Sequence, residues 1–264
     1  MIDLLPAQRA RLRPMFANFG TRLHGCVEAI FSGEFGRAWA DDADAPTVAL
    51  AHIDFWFIAG DASAPAAADA LRRVPPRGTI VTSGGAWDER VRSTLDDMHE
   101  RTRTGMATPM ASAWNRDRLR TMAAAVPDGF EIRRVTKNDV HAFASFEKDL
   151  VANFGTIERY LERGIGFGVW HNGQCVAGCS SFTLAGGRLE MEIDTHPDFR
   201  RRGLARSVAA TMILHCLDEG IEPCWDAHNP PSATLATQLG FVDPMRYTVF
   251  VKERGSTSES EGAS

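Results

Sequence analysis

The 264-residue chain has no uninterrupted apolar run of the roughly 18 residues a membrane-spanning helix needs, so no spanning segment is predicted. Its opening, MIDLLPAQRARLRPMF, has no apolar stretch long enough for a secretory leader, and arginines break up what there is. A cytoplasmic location is the expectation. Cysteine is sparse. Cys26, Cys175, Cys179, Cys216 and Cys224 form no CxxC pair, which excludes a zinc ribbon or redox motif and reads as free buried thiols. Cys175 and Cys179 share a strand face, but no clustered histidine supports them as ligands, so no metal is expected. A basic excess is also missing. The net charge of −5 argues against a nucleic-acid partner. No internal repeat is visible.

What is present is the composition of a globular protein, with 44% hydrophobic and 24% charged residues, long enough for one large or two ordinary domains. The small-residue stretch 123–129, AAAVPDG, is the best boundary. It divides a smaller mixed α/β N-terminal domain, residues 1–126, from a second domain, 127–253. Residues 254–264 are almost devoid of apolar side chains and read as a disordered tail. In the first half, the spacing predicts a helix over Pro6–Phe19, strands over Thr47–Ala59 and Thr79–Thr82, and a helix over Ala86–Glu100. His52 and Asp54 read as polar residues on a core strand, and Phe55-Trp56-Phe57 as core or a domain interface.

The second half reads as β-α-α-β-β-β-α-β-α-β. Strands are predicted at Phe130–Val135, Gly166–Trp170, Cys175–Leu184, Arg188–Thr195, Pro223–Ala227 and Tyr247–Val251. Helices are predicted at Lys137–Val151, Thr156–Arg163, Gly203–Asp218 and Ser232–Leu239. Asn172-Gly173 and Gly186-Gly187 mark hairpin turns, so the first strands are antiparallel. The helix after Arg188–Thr195 then crosses to a parallel neighbour at Pro223. The result is an α/β (α+β) protein with a mixed central sheet and helices on both faces.

Three motifs carry chemistry. Arg200-Arg201-Arg202-Gly203-Leu204-Ala205 joins a strand end to a helix start, where unpaired amides, the helix dipole and the arginines would make a pyrophosphate site, the alternative for the string alone being a solvated basic turn. In the preceding strand, Glu190, Glu192 and Asp194 share one face, as alternation requires. Three carboxylates together are costly if buried dry and make sense lining a wet cleft, where crowding raises their pKa values toward those of a general base. Downstream, Trp225-Asp226-Ala227-His228-Asn229 is followed by Ser232, Leu235, Leu239, Gly240 and Phe241. By contrast, the glycine-rich Gly164–Gly168 precedes a strand and fails the context test for a dinucleotide loop.

The R-x-x-G-x-A turn, the strand before it and the N-x-x-S-x-x-L-x-x-x-L-G-F segment resemble the GNAT superfamily of N-acetyltransferases. The resemblance covers about Phe130–Val251 at fold level and is specific from Glu190 to Phe241. EIDTHPDFRRRGLA, WDAHN and LGF resemble a bacterial subgroup with an extra N-terminal domain, related to zwittermicin-resistance-type acetyltransferases. The α/β pattern of the N-terminal half permits a degenerate copy of the same fold, with a substrate or interface role.

The resemblance implies acetyl-CoA as acyl donor. Ile193, Asp194 and Thr195 would pair with the pantetheine arm through backbone groups. Arg200, Arg201, Arg202, Gly203, Leu204, Ala205 and Arg206 would hold the diphosphate and ribose phosphate, and Asn229 and Ser232 would flank the arm. Glu192 is the first choice of general base and Glu190 the second, with Asp194 and Asp226 trailing. Many members place a tyrosine where Ala236 stands here, so Tyr247 and His228 are the candidates to protonate the thiolate. The expected acceptor is a small-molecule amine such as an antibiotic, amino acid or polyamine, attacking the thioester directly, with antibiotic resistance as one role. A homodimer is an assembly this reading allows. The other readings are a non-catalytic acyl-CoA-binding regulatory module and a protein or peptide N-acetyltransferase.

Overall fold

A computed structural model describes residues 1–96 and 98–252. The expected tail, 254–264, lies outside the described residues. The strands are β1 Ile2–Asp3, β2 Arg37–Ala40, β3 Val48–Ile53, β4 Phe55–Gly60, β5 Thr79–Thr82, β6 Met98–Ala107, β7 Phe130–Arg134, β8 Gly166–His171, β9 Gln174–Ala185, β10 Arg188–Thr195, β11 Glu222–Ala227 and β12 Val242–Lys252. The α-helices are α1 His24–Phe31, α2 Ala66–Arg72, α3 Ala86–Thr94, α4 Arg116–Ala124, α5 Val140–Phe146, α6 Ile157–Arg163, α7 Leu204–Asp218 and α8 Pro230–Leu239.

All twelve strands join one mixed sheet, ordered β1-β2-β3-β4-β5-β12-β6-β11-β10-β9-β8-β7. The two halves interlock. β12, from the second half, lies between β5 and β6 of the first, with Phe250 opposite Ile80 and Thr248 opposite Thr102. β6 in turn pairs with β11. Helices cover both faces. On β10, Leu189 joins the core under α7 and α8, while the next residue, Glu190, points at α1.

Each element of the second half has a local cause. Asn172 and Gly173 have φ of 50° and 80°, the left-handed pair that a tight hairpin demands. Helix α7 buries Leu204, Val208, Met212 and Cys216 along one stripe at four-residue spacing. Asn229 caps α8 by accepting the Ser232 amide at 2.9 Å, two prolines fill its first turn, and Gly240 (φ 119°) ends it. β10 and β11 run parallel, with Leu189 opposite Pro223.

The first half departs from the sequence reading in several places. Pro6–Phe19 is a 3-10 helix. Pro14 has no N–H to give an α-helical ladder, and Arg9, Leu12, Phe16 and Phe19 are buried largely at the three-residue spacing of the tighter winding. Thr47–Ala59 is a hairpin, because Asp54 takes φ 55° and folds β4 back on β3, with Ile53 opposite Phe55. The helix expected to reach Glu100 stops at Thr94, where Leu95 becomes extended (φ −126°), and the chain enters β6. In the second half, Lys137–Val151 shortens to α5 followed by 3-10 turns at Lys148–Leu150 and Ala152–Phe154. Helices α1, α2 and α4 and strands β1, β2 and β6 are additional.

Candidate active site

The parallel pair β10 and β11 is hydrogen-bonded only from Arg188↔Glu222 to Glu190↔Cys224. Beyond that point the strands part. Met191–Thr195 pair only with β9, and Trp225–Ala227 only with β6. Into the gap opens a cleft of about 770 Å³.

One end of the cleft is built to receive an anion. Arg201 and Gly203 both have left-handed backbone, φ 62° and 83°, which turns successive amides to one side ahead of α7. The N–H groups of Arg201 to Arg206 have no acceptor among the described residues. A Cβ on Gly203 would meet only the Arg206 guanidinium, at 3.5 Å, so this backbone is open to a ligand. Arg200 is held by donating Nε–H to the Thr195 carbonyl at 3.0 Å. The Thr195 hydroxyl is buried in the cleft wall without a partner. These features fit a diphosphate and an extended polar arm lying along β10.

All the expected cofactor contacts line the cleft except Arg202. Its guanidinium stacks on Phe199 at 5.3 Å and donates to the Asp198 carbonyl. Asn229 and Ser232 also serve the fold: Asn229 caps α8, and the Ser232 hydroxyl accepts from Trp225 Nε1 at 3.2 Å.

The other end is acidic. Glu190 is 2% exposed and accepts the Gly25 amide at 3.1 Å. The approach requires glycine, since a Cβ there would lie 2.8 Å from the carboxylate. Burial above all pushes Glu190 up to about 7, with His24 pulling it down and Asp226 pushing it up. Glu192 is likewise pushed to about 7, by burial first and then by Asp149. Two further wall residues are Asp54, which the sequence places on a core strand, and Arg103, which it does not mark. Asp54, at the β3–β4 turn, faces the cleft, and burial and Asp149 raise its pKa. Arg103, on β6, lies over the Phe55 ring at 5.0 Å and pairs with Asp226. No local motif marks either, because a turn and a polar strand bring them to the cleft.

Tyr247 does not line the cleft. It is buried, donates its hydroxyl to Asp226 at 2.7 Å, and burial followed by Asp226 holds its pKa well above the usual phenol range. His228 lines the cleft beside Asn229, and burial lowers its pKa. Ala236 is fully buried in the core under α7, while Ser232, Leu235 and Gln238 of the same helix face the cleft.

The cleft lies between parting parallel strands and is floored by free amides at a helix start, and a family model described as GNAT acetyltransferase matches residues 13–250. The chain belongs to the GNAT acetyltransferase family and is an acyltransferase. It is similar to a Bacillus subtilis (strain 168) protein described as the uncharacterized N-acetyltransferase YdfB, 27% identical over 228 residues, covering 81% of this chain and 85% of that one. It is also similar to the crystal structure of a GCN5-related N-acetyltransferase-like protein from Streptococcus suis 89/1591, with a TM-score of 0.80 at 29% identity over 95% of this chain and 100% of that one. A GCN5-related N-acetyltransferase from Kribbella flavida shares the fold, with a TM-score of 0.61 at 14% identity, over 94% of this chain and 96% of that one. Among the described residues, no helix is long and apolar enough to cross a membrane.

Proposed function

We propose that the protein transfers an acetyl group from acetyl-CoA to the amine of a small cationic molecule by direct attack on the thioester. One observation carries this reading: the gap between β10 and β11 joins free amides and arginines at one end to the raised carboxylate of Glu192 at the other. The cleft is electrically divided. Arg200, Arg201 and Arg206 line the end that would take phosphates, where Arg200 also pairs with Asp194 at 3.8 Å, and Asp54, Asp149 and Glu192, with Arg103 among them, line the end that would take an ammonium group.

In this mechanism the amides of Arg201–Arg206 hold the diphosphate. The unpaired edge of Ile193–Thr195 aligns the pantetheine arm, and a strand amide near Ile193 stabilises the developing oxyanion. Glu192 takes one proton from the acceptor ammonium. The freed nitrogen attacks the thioester carbonyl, the carbon–sulfur bond breaks, and the second amine proton passes to the thiolate. Glu190 keeps the wall acidic, and Tyr247 keeps its proton on Asp226, as a positioning residue.

The test is calorimetry with acetyl-CoA, then release of free CoA with a panel of polyamine, amino acid, aminoglycoside and zwittermicin-type acceptors. The last addresses the finer likeness to zwittermicin-resistance enzymes. Acetyl-CoA at 100 times its Kd stabilises the fold by about 2.7 kcal/mol, and at least one amine releases CoA. Failure to bind overturns the donor assignment. Binding without release for any amine favours a regulatory acyl-CoA module.

A further inference from the structure

Below the point where β10 and β11 part, a second polar cluster joins the two halves of the chain. His24, the first residue of α1, meets Glu222 and Cys224, which sit two apart on one face of β11. His24 Nε2 lies 3.2 Å from Cys224 Sγ and 3.5 Å from Glu222 Oε1, and the three donor atoms lie within 4.8 Å of one another. A tetrahedral zinc ion with ligand bonds of about 2.0–2.3 Å holds its donor atoms roughly 3.3–3.7 Å apart, so the two separations from His24 are already close to those of such a site, and Cys224 and Glu222 stand within 4.8 Å of each other.

The surroundings fit the same ion. Arg188 Nε donates to Glu222 Oε2 at 3.1 Å, which fixes the carboxylate and leaves Oε1 turned to His24. The guanidinium opposes a cation, but one thiolate and one carboxylate balance the charge of Zn²⁺. The Glu222 side chain is 40% exposed and that of His24 17%, while Cys224 is buried, so the fourth position is left to water on the solvent side. The mixed sulfur, nitrogen and oxygen donors suit zinc over magnesium or calcium.

We propose that His24, Cys224 and Glu222 form a zinc site that clamps the start of α1 onto β11. On binding, Cys224 gives its thiol proton to solvent and the metal takes the sulfur as thiolate. The clamp flanks two contacts of the cleft wall: the Leu23 amide donates to Asp226 at 3.4 Å and the Gly25 amide to Glu190. No local spacing announces the site, because 200 residues separate His24 from Cys224.

The experiment uses the untagged full chain, stripped with a chelator and titrated with Co²⁺ and then Zn²⁺. The expected result is one cobalt per chain, with a sulfur-to-cobalt charge-transfer band and the strong visible bands of tetrahedral coordination, both displaced by stoichiometric zinc, which also raises Tm. Cys224→Ser removes the charge-transfer band, whereas Cys175→Ser keeps it. Glu222→Gln, which keeps the side-chain length at a half-exposed position, weakens zinc binding at least about ten-fold. Only weak octahedral cobalt spectra, or zinc affinity unchanged in Glu222→Gln, overturns the site. Neither readout depends on acetyl transfer, so the outcome is separate from that of the proposed function.

Discussion

Arg103 Nε lies 2.6 Å from Asp226 Oδ1 across 123 residues of sequence, with the side chains 16% and 1% exposed. The pair ties β6 of the first half to β11 of the second at the edge of the cleft. Burial draws the Arg103 pKa down, but Asp226 and Tyr247 outweigh it and hold the guanidinium charged. Arg103→Met leaves Asp226 buried with only the Tyr247 hydroxyl and the Leu23 amide, and is expected to destabilise the fold by about 3–5 kcal/mol. The double change Arg103→Met with Asp226→Leu should recover part of that loss. Urea unfolding of the three proteins checks both statements.

Glu192→Gln removes the group assigned as base while keeping its shape. Turnover is expected to fall about 100-fold or more. Acetyl-CoA affinity should stay within about two-fold, since the interaction lost belongs to the transition state. CoA release and calorimetry on the same preparation measure the two quantities. Unchanged turnover would remove Glu192 from the role.

The raised carboxylate also sets a pH dependence. Glu192 must be ionised to accept a proton, so kcat/KM should rise with pH through about 7. The effect on stability has the opposite sense. The folded state holds the proton more tightly than the unfolded chain, so stability is lost as pH climbs from the ordinary carboxylate range through about 7. Glu192→Gln should therefore be more stable than the parent at pH 8, by up to roughly 3 kcal/mol, and no more stable at pH 4. Paired thermal melts at the two pH values decide it.

Gly203 combines a left-handed backbone with open space where a side chain would project. Gly203→Ala should cost about 1–2 kcal/mol of backbone strain. Gly203→Glu adds a carboxylate that occupies the free amides itself, and should abolish acetyl-CoA binding in calorimetry while a single cooperative melt persists. Retained binding would mean the diphosphate sits elsewhere.

Asp54 and Asp149 are acids lining the proposed acceptor end. Replacing both by asparagine should raise KM for a polycationic acceptor several-fold at low salt, with little change in kcat. The difference should shrink toward 0.5 M salt, as a screened attraction does. An equal rise for a neutral amine would argue against an electrostatic role.

Much of the second half was legible because its signals are local. The strand Arg188–Thr195, the turn at Asn172-Gly173 and the capped helix after Asn229 each depend on residues within a few positions of one another. The charged phrase RRRGLA marks its loop for the same reason. The first half hides its features in longer-range relations. Asp54 breaks a run that reads as one strand, and only its positive φ reveals the hairpin. The helix expected over Ala86–Glu100 overlaps the start of Met98–Ala107, a polar segment that becomes a strand because β11 and β12 flank it. Arg103 belongs to that strand, so its place on the cleft wall could not be read before the sheet was known. Tyr247 is a candidate proton donor by sequence, and only the tertiary structure turns its hydroxyl toward Asp226.

The seating of β12 between β5 and β6 also bears on how the polypeptide is assembled. During synthesis both flanking strands emerge from the ribosome long before the one that must separate them, and until residue 252 follows they present bare edges. Such edges invite pairing with other chains. A nascent protein of this design should depend on chaperone shelter late in translation, and cutting the gene at residue 126 should yield two fragments that recover order only when mixed.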